Sequence, residues 1–584
     1  MLLLACCLTH CQLTTTSIRS NSKFKENIHH VYCAKPTVAP GTVPFRDWSF
    51  SNKSPLLELP IDPEEKNYVR RIHNVSFSRV MPTPFHSLPV LVALSRDVLQ
   101  DLLDLDPCDC AQSRAFLALA SGGQPQPPNS LNLAHRYGGH QFGHWAGQLG
   151  DGRAVLVGSY LNRMGGYWEA QLKGSGKTPY SRDGDGRAVL RSSIREFLAS
   201  EAMHALGVPT SRAASLVTSD DAAWRDQFYD GHPRQEHTAV VLRLAPSWFR
   251  IGTLEILHRN KEFELLRQTL DLVTQHYYPD LVQLHMNTPS SRYAAFFARV
   301  VNETAEMIAR WQSVGFTHGV CNTDNFSLLS LTIDYGPFGF METYDPDFVP
   351  NTSDDEGMYR FQYQPSVGHH NLVKLWETLK PLVTERRDRD TMHEGLMLYA
   401  AAFNNAFLGL MSEKLGLEGV GDEEETEMLV AGLLQIMEDV EADFTMTFRE
   451  LSETTVSDLV TDTLPGHTWV LPRLLAHSAW RGWLRLYHSL ALRCATDSSM
   501  ERVASYSEGM RMERMQGVNP RYVLRNWMAE EAIRRAEDEG DFSVVHRLQR
   551  VLQNPYLVQH EAEVAGYAHQ PPQWAQKLRV SCSS

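Results

Sequence analysis

The sequence predicts an α+β fold in which a mixed, strand-rich part precedes a larger and extended helical part. Short runs of alternating or continuous apolar residues mark the first part, for example at residues 167–173 and 238–244. From Thr253 onward, apolar residues recur at the three-and-four spacing of amphipathic helices. The same reasoning predicts a helix over residues 88–105 and a polar loop over residues 218–229. A chain of 584 residues corresponds to about three to four domain-sized units, so more than one packed core is expected.

Composition and charge narrow the class of partner. The formal net charge is -14 at pH 7, and because surfaces that bind nucleic acid are basic, this balance argues against a nucleic-acid partner. No run approaches the roughly 18 apolar residues of a membrane span, so the sequence predicts no span. The nine cysteines are scattered and form no disulfide framework, which favours a reducing compartment.

The first 45 residues differ from the rest of the chain. A short apolar run at residues 2–8 is followed by Ser, Thr and basic residues, and the first acidic residue is Glu26. This poverty in acids is typical of a mitochondrial transit peptide, so the sequence predicts a mitochondrial protein. A disordered leader without a targeting role is the alternative interpretation.

A glycine-rich turn and a Lys–Glu pair indicate a phosphate-binding site. The turn at residues 149–153 would let backbone N–H groups approach phosphate, and Arg153 adds positive charge, although an ordinary β-turn is the alternative. A later strand, predicted over residues 167–173, ends at Lys173, and Glu196 lies on a helix predicted over residues 187–206. In kinase-like sites a strand Lys holds phosphate and a helix Glu holds that Lys, whereas exposed positions for both are the alternative.

Two arginines lie on or beside strands of the first part. Arg243 is inside the apolar run at residues 238–244, and Arg250 follows seven positions later. An arginine in an apolar strand needs an anionic partner, because an unpaired buried charge is costly. A bidentate phosphate contact and a structural pairing with an acidic side chain both satisfy that need.

Residues 317–336 (THGVCNTDNFSLLSLTIDYG) contain two acidic clusters, Asp324-Asn325 and Asp334, separated by an apolar run that predicts a tight β-hairpin. A carboxylate and an amide placed in this way hold Mg²⁺ against nucleotide phosphates in kinase-like folds. The position two residues after His318, where such a kinase loop has its base, is the apolar Val320. The stretch therefore predicts either an inactive kinase or a nucleotide site with a different reaction.

Several blocks together resemble the selenoprotein O family, which includes the bacterial YdiU proteins, over nearly all of the chain from about residue 45. The blocks are residues 136–143 (RYGGHQFG), 171–182 (QLKGSGKTPYSR), 322–325 (NTDN), 332–338 (TIDYGPF) and 519–522 (NPRY). The resemblance implies a protein-kinase-like two-lobed fold with a mixed small lobe and a large, extended helical lobe. With the motifs it divides the chain into a leader, the small lobe, the helical lobe and a helical extension with a cysteine-containing tail, at residues 1–45, 46–252, 253–500 and 501–584.

The resemblance also implies a protein adenylyltransferase that binds ATP in a flipped orientation, with Mg²⁺ or Mn²⁺ as cofactor. It would transfer AMP to Ser, Thr or Tyr hydroxyls of protein substrates. The residues implied to contact the nucleotide are Gly150, Gly152, Arg153, Lys173, Asp185, Gly186, Arg243, Arg250 and Asp334. Asp324 would accept the proton, Asn325 and Asp334 would bind the metal, and Glu196 would brace Lys173.

The tail carries Cys582 where vertebrate members of the family have selenocysteine, which implies a redox position; an ordinary tail thiol is the alternative. Two other functions fit the motifs. One is an ATP-dependent phosphotransferase, against which the apolar Val320 counts. The other is a catalytically silent pseudokinase scaffold that binds ATP without turnover.

Overall fold

The computed structural model describes residues 40–285, 288–496 and 508–583. Within these residues a large sheet and many helices form a mixed α+β structure, which confirms the predicted class. The sheet is built before residue 246, and helices dominate from Ile251 onward. The predicted leader lies almost entirely in residues 1–39, outside the described residues.

The strands of the described residues fall into one large sheet and two short ribbons. Their bounds are β1 (Ile61–Asp62), β2 (Phe77–Arg79), β3 (Val90–Leu94), β4 (Leu133–His135), β5 (His140–Gln141), β6 (His144–Trp145), β7 (Ala154–Leu161), β8 (Tyr167–Lys173), β9 (Ala188–Val189), β10 (Arg212–Arg225), β11 (Arg234–Ala245), β12 (Phe316–Thr317) and β13 (Gly339–Phe340). The large sheet has the order β1-β2-β4-β7-β8-β11-β10-β3, with β9 added beside β11. Only β1 and β2 pair in parallel there, whereas β5–β6 and β12–β13 form the ribbons.

The structure confirms the strand at residues 167–173 and corrects two other predictions. Residues 88–105 are not one helix, because Val90–Leu94 is a buried edge strand and only Val98–Leu102 forms a π-helical turn. A short continuous apolar run fits a buried strand as well as a helix, so its periodicity could not decide between them. Residues 218–229 are not all loop, because β10 continues as far as Arg225 in a ribbon with β11.

The helices before residue 320 include the predicted Glu196 helix, which is confirmed. Their bounds are α1 (Pro107–Gln112), α2 (Arg114–Ala120), α3 (Leu190–Ala205), α4 (Ile251–Arg259), α5 (Phe263–Tyr277), α6 (Pro279–Leu284) and α7 (Pro289–Ser313). The helices that follow are α8 (Gln364–Leu379), α9 (Arg386–Met397), α10 (Tyr399–Lys414), α11 (Glu423–Asp439), α12 (Phe444–Ser452), α13 (Val456–Thr461), α14 (Leu471–Leu475), α15 (Trp480–Thr496), α16 (Glu508–Val518), α17 (Asn526–Glu539), α18 (Ser543–Gln553) and α19 (His560–Val564).

The large sheet has a buried layer on each face. One face packs with α3 into the main hydrophobic core, which continues through the helices that follow. The other face, together with α2, forms a second core around Trp48 and Phe116. Helix α18 covers the sheet edge, where His546 and Gln549 bond the carbonyl oxygens of the edge strand β3 at 2.7 and 2.5 Å. This contact protects an edge that would otherwise pair with other chains.

One helical stretch of the described residues has the length and composition of a membrane span. It is Arg386–Lys414, with a mean hydropathy of 1.2 over its most apolar window, of which 22% is buried. The sequence-based expectation of no such run is therefore too strict. A single helix of this kind is weak evidence for a membrane protein, because helices of soluble proteins pass the same test.

Candidate active site

Every site residue predicted from the sequence lines one cavity of about 770 Å³. The cavity lies between the large sheet, helix α3 and the loop at residues 317–336. Its lining includes Gly150, Gly152, Arg153, Lys173, Asp185, Gly186, Glu196, Arg243, Arg250, Asp324, Asn325, Asp334 and Cys582. The fold thus brings together residues that are more than 400 positions apart in the sequence.

A strand and a helix present the predicted Lys–Glu pair. Lys173 ends β8, and its Nζ lies 2.7 Å from Glu196 Oε2 on α3. The other Glu196 oxygen accepts a hydrogen bond of 2.8 Å from Arg243 Nη1. Arg243 pairs with Gln171 in the ladder between β11 and β8, and alternate residues of a strand share one face, so Arg243 and Lys173 lie on the same face.

Asp334 is the anionic centre of the cavity. Its Oδ1 accepts from Arg243 Nη1 at 2.5 Å and lies 3.4 Å from Lys173 Nζ, and its Oδ2 accepts from Arg250 Nη1 at 2.7 Å. Burial alone would raise the pKa of Asp334, but the three cations hold that pKa well below its usual range. Of the two interpretations of the arginines, the structural pairing with an acidic side chain is the one present here.

The cluster contains more positively charged than negatively charged side chains. Lys173, Arg243 and Arg250 are matched by two carboxylates, Glu196 and Asp334, so one positive charge is left over. Aromatic rings support the buried arginines: the Arg243 guanidinium lies 4.3 Å from the ring of Trp248, and that of Arg250 lies 4.4 Å from the ring of Tyr137. Such an arrangement is suited to binding an anion.

Close backbone packing explains two of the predicted glycines. Gly150 has φ +119°, and a Cβ there would lie 2.6 Å from the Tyr180 ring. Gly186 has φ +76°, and a Cβ would lie 2.2 Å from the Gly176 carbonyl carbon. Asp185, next to Gly186, is held by both Nη atoms of Arg225 at 2.7 and 2.8 Å.

Asp324 and Asn325 belong to the short 3-10 helix Thr323–Asn325. Burial raises the pKa of Asp324 to about 7, while Arg250 acts in the opposite direction. Asp324 Oδ1 is buried and has no hydrogen-bond partner in the described part of the chain. The predicted hairpin after Asn325 is reduced to a single bridge between Phe326 and Thr332.

The donor set of the predicted metal site consists of oxygen atoms. Asn325 Nδ2 donates to Val320 O at 2.9 Å, which leaves the Asn325 carbonyl oxygen to act as a ligand. Asp334 supplies an ionised carboxylate. Among the described residues, no group of three His, Cys, Asp or Glu side chains could hold a metal. An amide and a carboxylate fit Mg²⁺, which is often bound through few protein oxygens together with substrate phosphates.

The C-terminal tail reaches the same cavity. Val580 forms a bridge with Asn351, and Thr352 N donates to Val580 O at 2.9 Å. Cys582 Sγ lies 3.4 Å from Asn351 Oδ1, and burial raises the pKa of the thiol. Arg191 Nη2 donates to Ser583 O at 2.8 Å, so the tail is fixed on both sides of Cys582.

Sequence reasoning missed residues that connect the cluster to the glycine-rich turn. Gln171 Oε1 accepts from Arg243 Nε at 2.9 Å, and its Nε2 donates to Asp151 Oδ2 at 3.0 Å. Burial raises the pKa of Asp151 to about 6. Their positions in the sequence could have indicated them, because Gln171 lies two residues before Lys173 on the same strand face and Asp151 lies between two predicted glycines. Gln141 was also missed, although it lies in the RYGGHQFG block.

Comparison with known proteins identifies the family of this chain. The family model described as "Protein adenylyltransferase SelO" matches residues 64–553. A protein of Nitrosospira multiformis named "Protein nucleotidyltransferase YdiU" is 41% identical over 570 residues, covering 92% of this chain and 97% of that protein. Proteins of the same name from Aromatoleum aromaticum and Xanthomonas campestris are 43% and 44% identical, over 90% of this chain and 97% and 96% of their own lengths. The chain therefore belongs to the SelO/YdiU enzyme family.

Proposed function

We propose that this enzyme transfers AMP from ATP to Ser, Thr or Tyr hydroxyl groups of proteins. The observation that carries the proposal is the position of Asp324, a buried carboxylate with an unpartnered oxygen, in the same cavity as the cations Lys173, Arg243 and Arg250. Cations suit the phosphates of ATP and the departing pyrophosphate, and a carboxylate suits the removal of a hydroxyl proton. The names of the relatives support nucleotidyl transfer in general.

The reaction needs one bond to form and one to break. The substrate hydroxyl oxygen attacks the α-phosphorus of ATP, the bond from that phosphorus to the bridging oxygen of the β-phosphate breaks, and pyrophosphate leaves. Asp324 accepts the hydroxyl proton. Lys173, Arg243 and Arg250 hold phosphate oxygens, with ATP in the flipped orientation. Because the cations pair with Asp334 and Glu196 in this structure, part of that pairing is exchanged for phosphate when ATP binds.

Asn325 and Asp334 would hold Mg²⁺, or Mn²⁺ in its place. Bound there, the ion neutralises charge on the phosphates. Asp334 is suited to this role because it stays ionised in the cavity. The glycine-rich turn and the Asp185-Gly186 pair would contact the nucleotide, and Glu196 would keep Lys173 in position.

Three further points belong to the same proposal. The sheet part at residues 46–252 and the helical part at residues 253–500 would be the small and large lobes of a protein-kinase-like fold, followed by a C-terminal extension. The protein would act in mitochondria, which the acid-poor leader supports. Cys582 would be a redox position, in keeping with its place in the cavity wall.

Labelled ATP tests the proposal against its alternatives. With Mg²⁺ and a mixture of proteins, we expect transfer of label from the α-phosphate and none from the γ-phosphate. Transfer from the γ-phosphate would identify a phosphotransferase instead. Binding of ATP without release of pyrophosphate would identify the silent scaffold. Asp324→Asn should abolish the α-label, whereas Asp183→Asn, at an exposed carboxylate outside the cavity lining, should retain it.

A further inference from the structure

The RYGGHQFG block has a structural role that the nucleotide chemistry does not explain. It contains the first strand of the β5–β6 hairpin, which packs directly on the Asp324 loop. Gly139, just before the hairpin, lies so close that a Cβ there would be 2.6 Å from Asp324 Oδ1. The hairpin and the carboxylate thus share one packed contact.

Residues 140–142 of the hairpin each donate a hydrogen bond to one of residues 322–324 of the loop. His140 N donates to Thr323 Oγ1 at 2.7 Å, and Gln141 Nε2 donates to Asp324 Oδ2 at 3.1 Å. Phe142 N completes the set by donating to Asn322 Oδ1 at 3.3 Å. Two of the bonds come from backbone N–H groups, whereas the bond to the reactive carboxylate comes from a side chain.

The hairpin is itself fixed from the far side. His140 Nδ1 lies 2.6 Å from Glu255 Oε1 on α4, and Arg259 Nη2 lies 3.1 Å from His140 Nε2. Tyr359 OH accepts from Phe142 N at 2.8 Å and donates to Asn322 Oδ1 at 2.5 Å. Because the residues on both sides of Gln141 are held in this way, the backbone that carries the Gln141 side chain has a defined position.

From this geometry we infer that Gln141 is a positioning residue for Asp324, an inference that rests on the proposed role of Asp324 as proton acceptor. Gln141 holds Oδ2 and Gly139 packs against the buried Oδ1, so the rotation of the carboxylate is restricted from both sides. A neutral amide can set the rotation of a carboxylate without adding a charge that competes with the incoming proton. Gln141 lines the cavity but is not required to touch ATP.

Steady-state kinetics of Gln141→Ala and Gln141→Glu test this role. Gln141→Ala removes the donor, and Gln141→Glu replaces it with a carboxylate that repels Asp324 at similar size. We expect kcat to fall roughly 10- to 100-fold in both, the range typical when a group that orients a reactive ligand is lost. KM for ATP should stay within about threefold of wild type, because the cations that bind phosphate are unchanged. An unchanged kcat, or a rise in KM that accounts for the whole loss, would overturn the inference.

Gln148→Ala is the matched control. Gln148 is also a half-buried glutamine with bonded amide atoms, which contact Ile72 N and Arg70 O at 2.8 Å each, but it lies outside the cavity lining. Its substitution should affect thermal stability without the selective loss of kcat. The kinetic assay measures whichever labelled group the wild-type enzyme transfers, AMP or the γ-phosphate. Transfer of the γ-phosphate would therefore contradict the proposed function and still test Gln141, and absence of any transfer by the wild type would overturn both.

Discussion

Glu196 on helix α3 bonds two cations of neighbouring strands at once: Oε2 lies 2.7 Å from Lys173 Nζ, and Oε1 accepts from Arg243 at 2.8 Å. All three side chains are buried or nearly so. Glu196 therefore does more than brace Lys173. It fixes the relative position of two groups that the proposed reaction needs on the phosphates.

Glu196→Gln should reduce both activity and stability. The amide keeps the size of the side chain but removes the charge that compensates Lys173 and Arg243. Breaking a buried ion pair from one side costs about 3–5 kcal/mol, so a large drop in the free energy of unfolding is expected. We also expect a loss of α-label transfer of at least about tenfold per folded molecule, because the phosphate contacts lose their geometry.

Glu201→Gln separates these two effects. Glu201 is on the same helix and pairs with Arg212 in a buried bidentate contact at 2.9 and 2.8 Å, but it does not line the cavity. It should lower stability in the same way and leave the activity of the folded fraction near that of wild type. Denaturant unfolding and labelling are measured on both variants. Equal losses of specific activity in the two would show that the Glu196 effect is only structural.

Asp334→Asn should abolish turnover and weaken the apo protein. The substitution leaves Arg243 and Arg250 without their shared carboxylate and removes a proposed metal ligand. We expect α-label transfer to fall by at least about 100-fold, and the midpoint of thermal unfolding to fall as well. Because the freed arginines can still bind phosphate, ATP without Mg²⁺ should raise the unfolding midpoint of this variant. Failure of ATP to do so would contradict the role of the arginines.

The sequence revealed the parts of the site that depend on local order. Lys173 and Glu196 could be paired because a strand followed by a helix is visible in the residue pattern, and their contact was predicted. The partner of Arg243 could not be chosen in the same way. Asp334 is 91 positions away, and only the folded chain decides between an acidic side chain and a phosphate.

The failure to predict the outer part of strand β10 and the contact of the tail also has physical reasons. Residues 219–225 look like a loop because their apolar and polar residues do not follow the burial: Asp220, Ala222 and Trp224 are exposed, whereas Asp221, Ala223 and Arg225 are buried or half-buried. The alternation of apolar and polar residues that marks a strand with one buried face is therefore missing from the sequence. The tail was recognised through Cys582 alone, and nothing near it in sequence showed that it meets Asn351, 231 positions earlier.

Cys582 should react slowly with iodoacetamide at neutral pH, and ATP should slow it further. Burial raises the pKa of the thiol, so the reactive thiolate is scarcer at pH 7 than for an ordinary cysteine, and the rate should still increase above pH 9. Cys582 also lines the cavity in which ATP would bind. Mass spectrometry of the C-terminal peptide gives the rate with and without ATP. The buried Cys321 is an internal reference that should stay unmodified in both cases.

If ATP leaves the alkylation rate of Cys582 unchanged while it binds to the protein, the tail does not share the nucleotide cavity. Cys582→Ser serves as the control for ATP binding, because it keeps a small polar side chain beside Asn351. We expect this variant to bind ATP with unchanged affinity. That result would show that ATP slows alkylation by covering the Cys582 thiol, and that ATP binding does not depend on a contact with this thiol.

Lys414→Met should stabilise the protein at neutral pH. Lys414 lies at the end of α10, is 5% exposed, and has its Nζ 4.5 Å from the ring centre of Phe448. Burial lowers the pKa of Lys414 to about 7 from its ordinary value of 10.5. Between these two pH values the unfolded chain binds more protons than the folded one, so stability should rise with pH across that window. Methionine has a similar length, carries no charge, and should remove this contribution to the slope.

The gain at pH 7 should be on the order of a few kcal/mol, because each unit of pKa shift corresponds to about 1.4 kcal/mol. Lys380→Met is the matched control, since Lys380 also lies over a ring, that of Trp376 at 4.9 Å, but is exposed. It should change stability by less than about 0.5 kcal/mol and leave the pH slope intact. Denaturant unfolding at pH 7, 8.5 and 10 measures both. Loss of stability in Lys414→Met at pH 7, with the pH slope unchanged, would show that the ammonium group is favourably accommodated against Phe448.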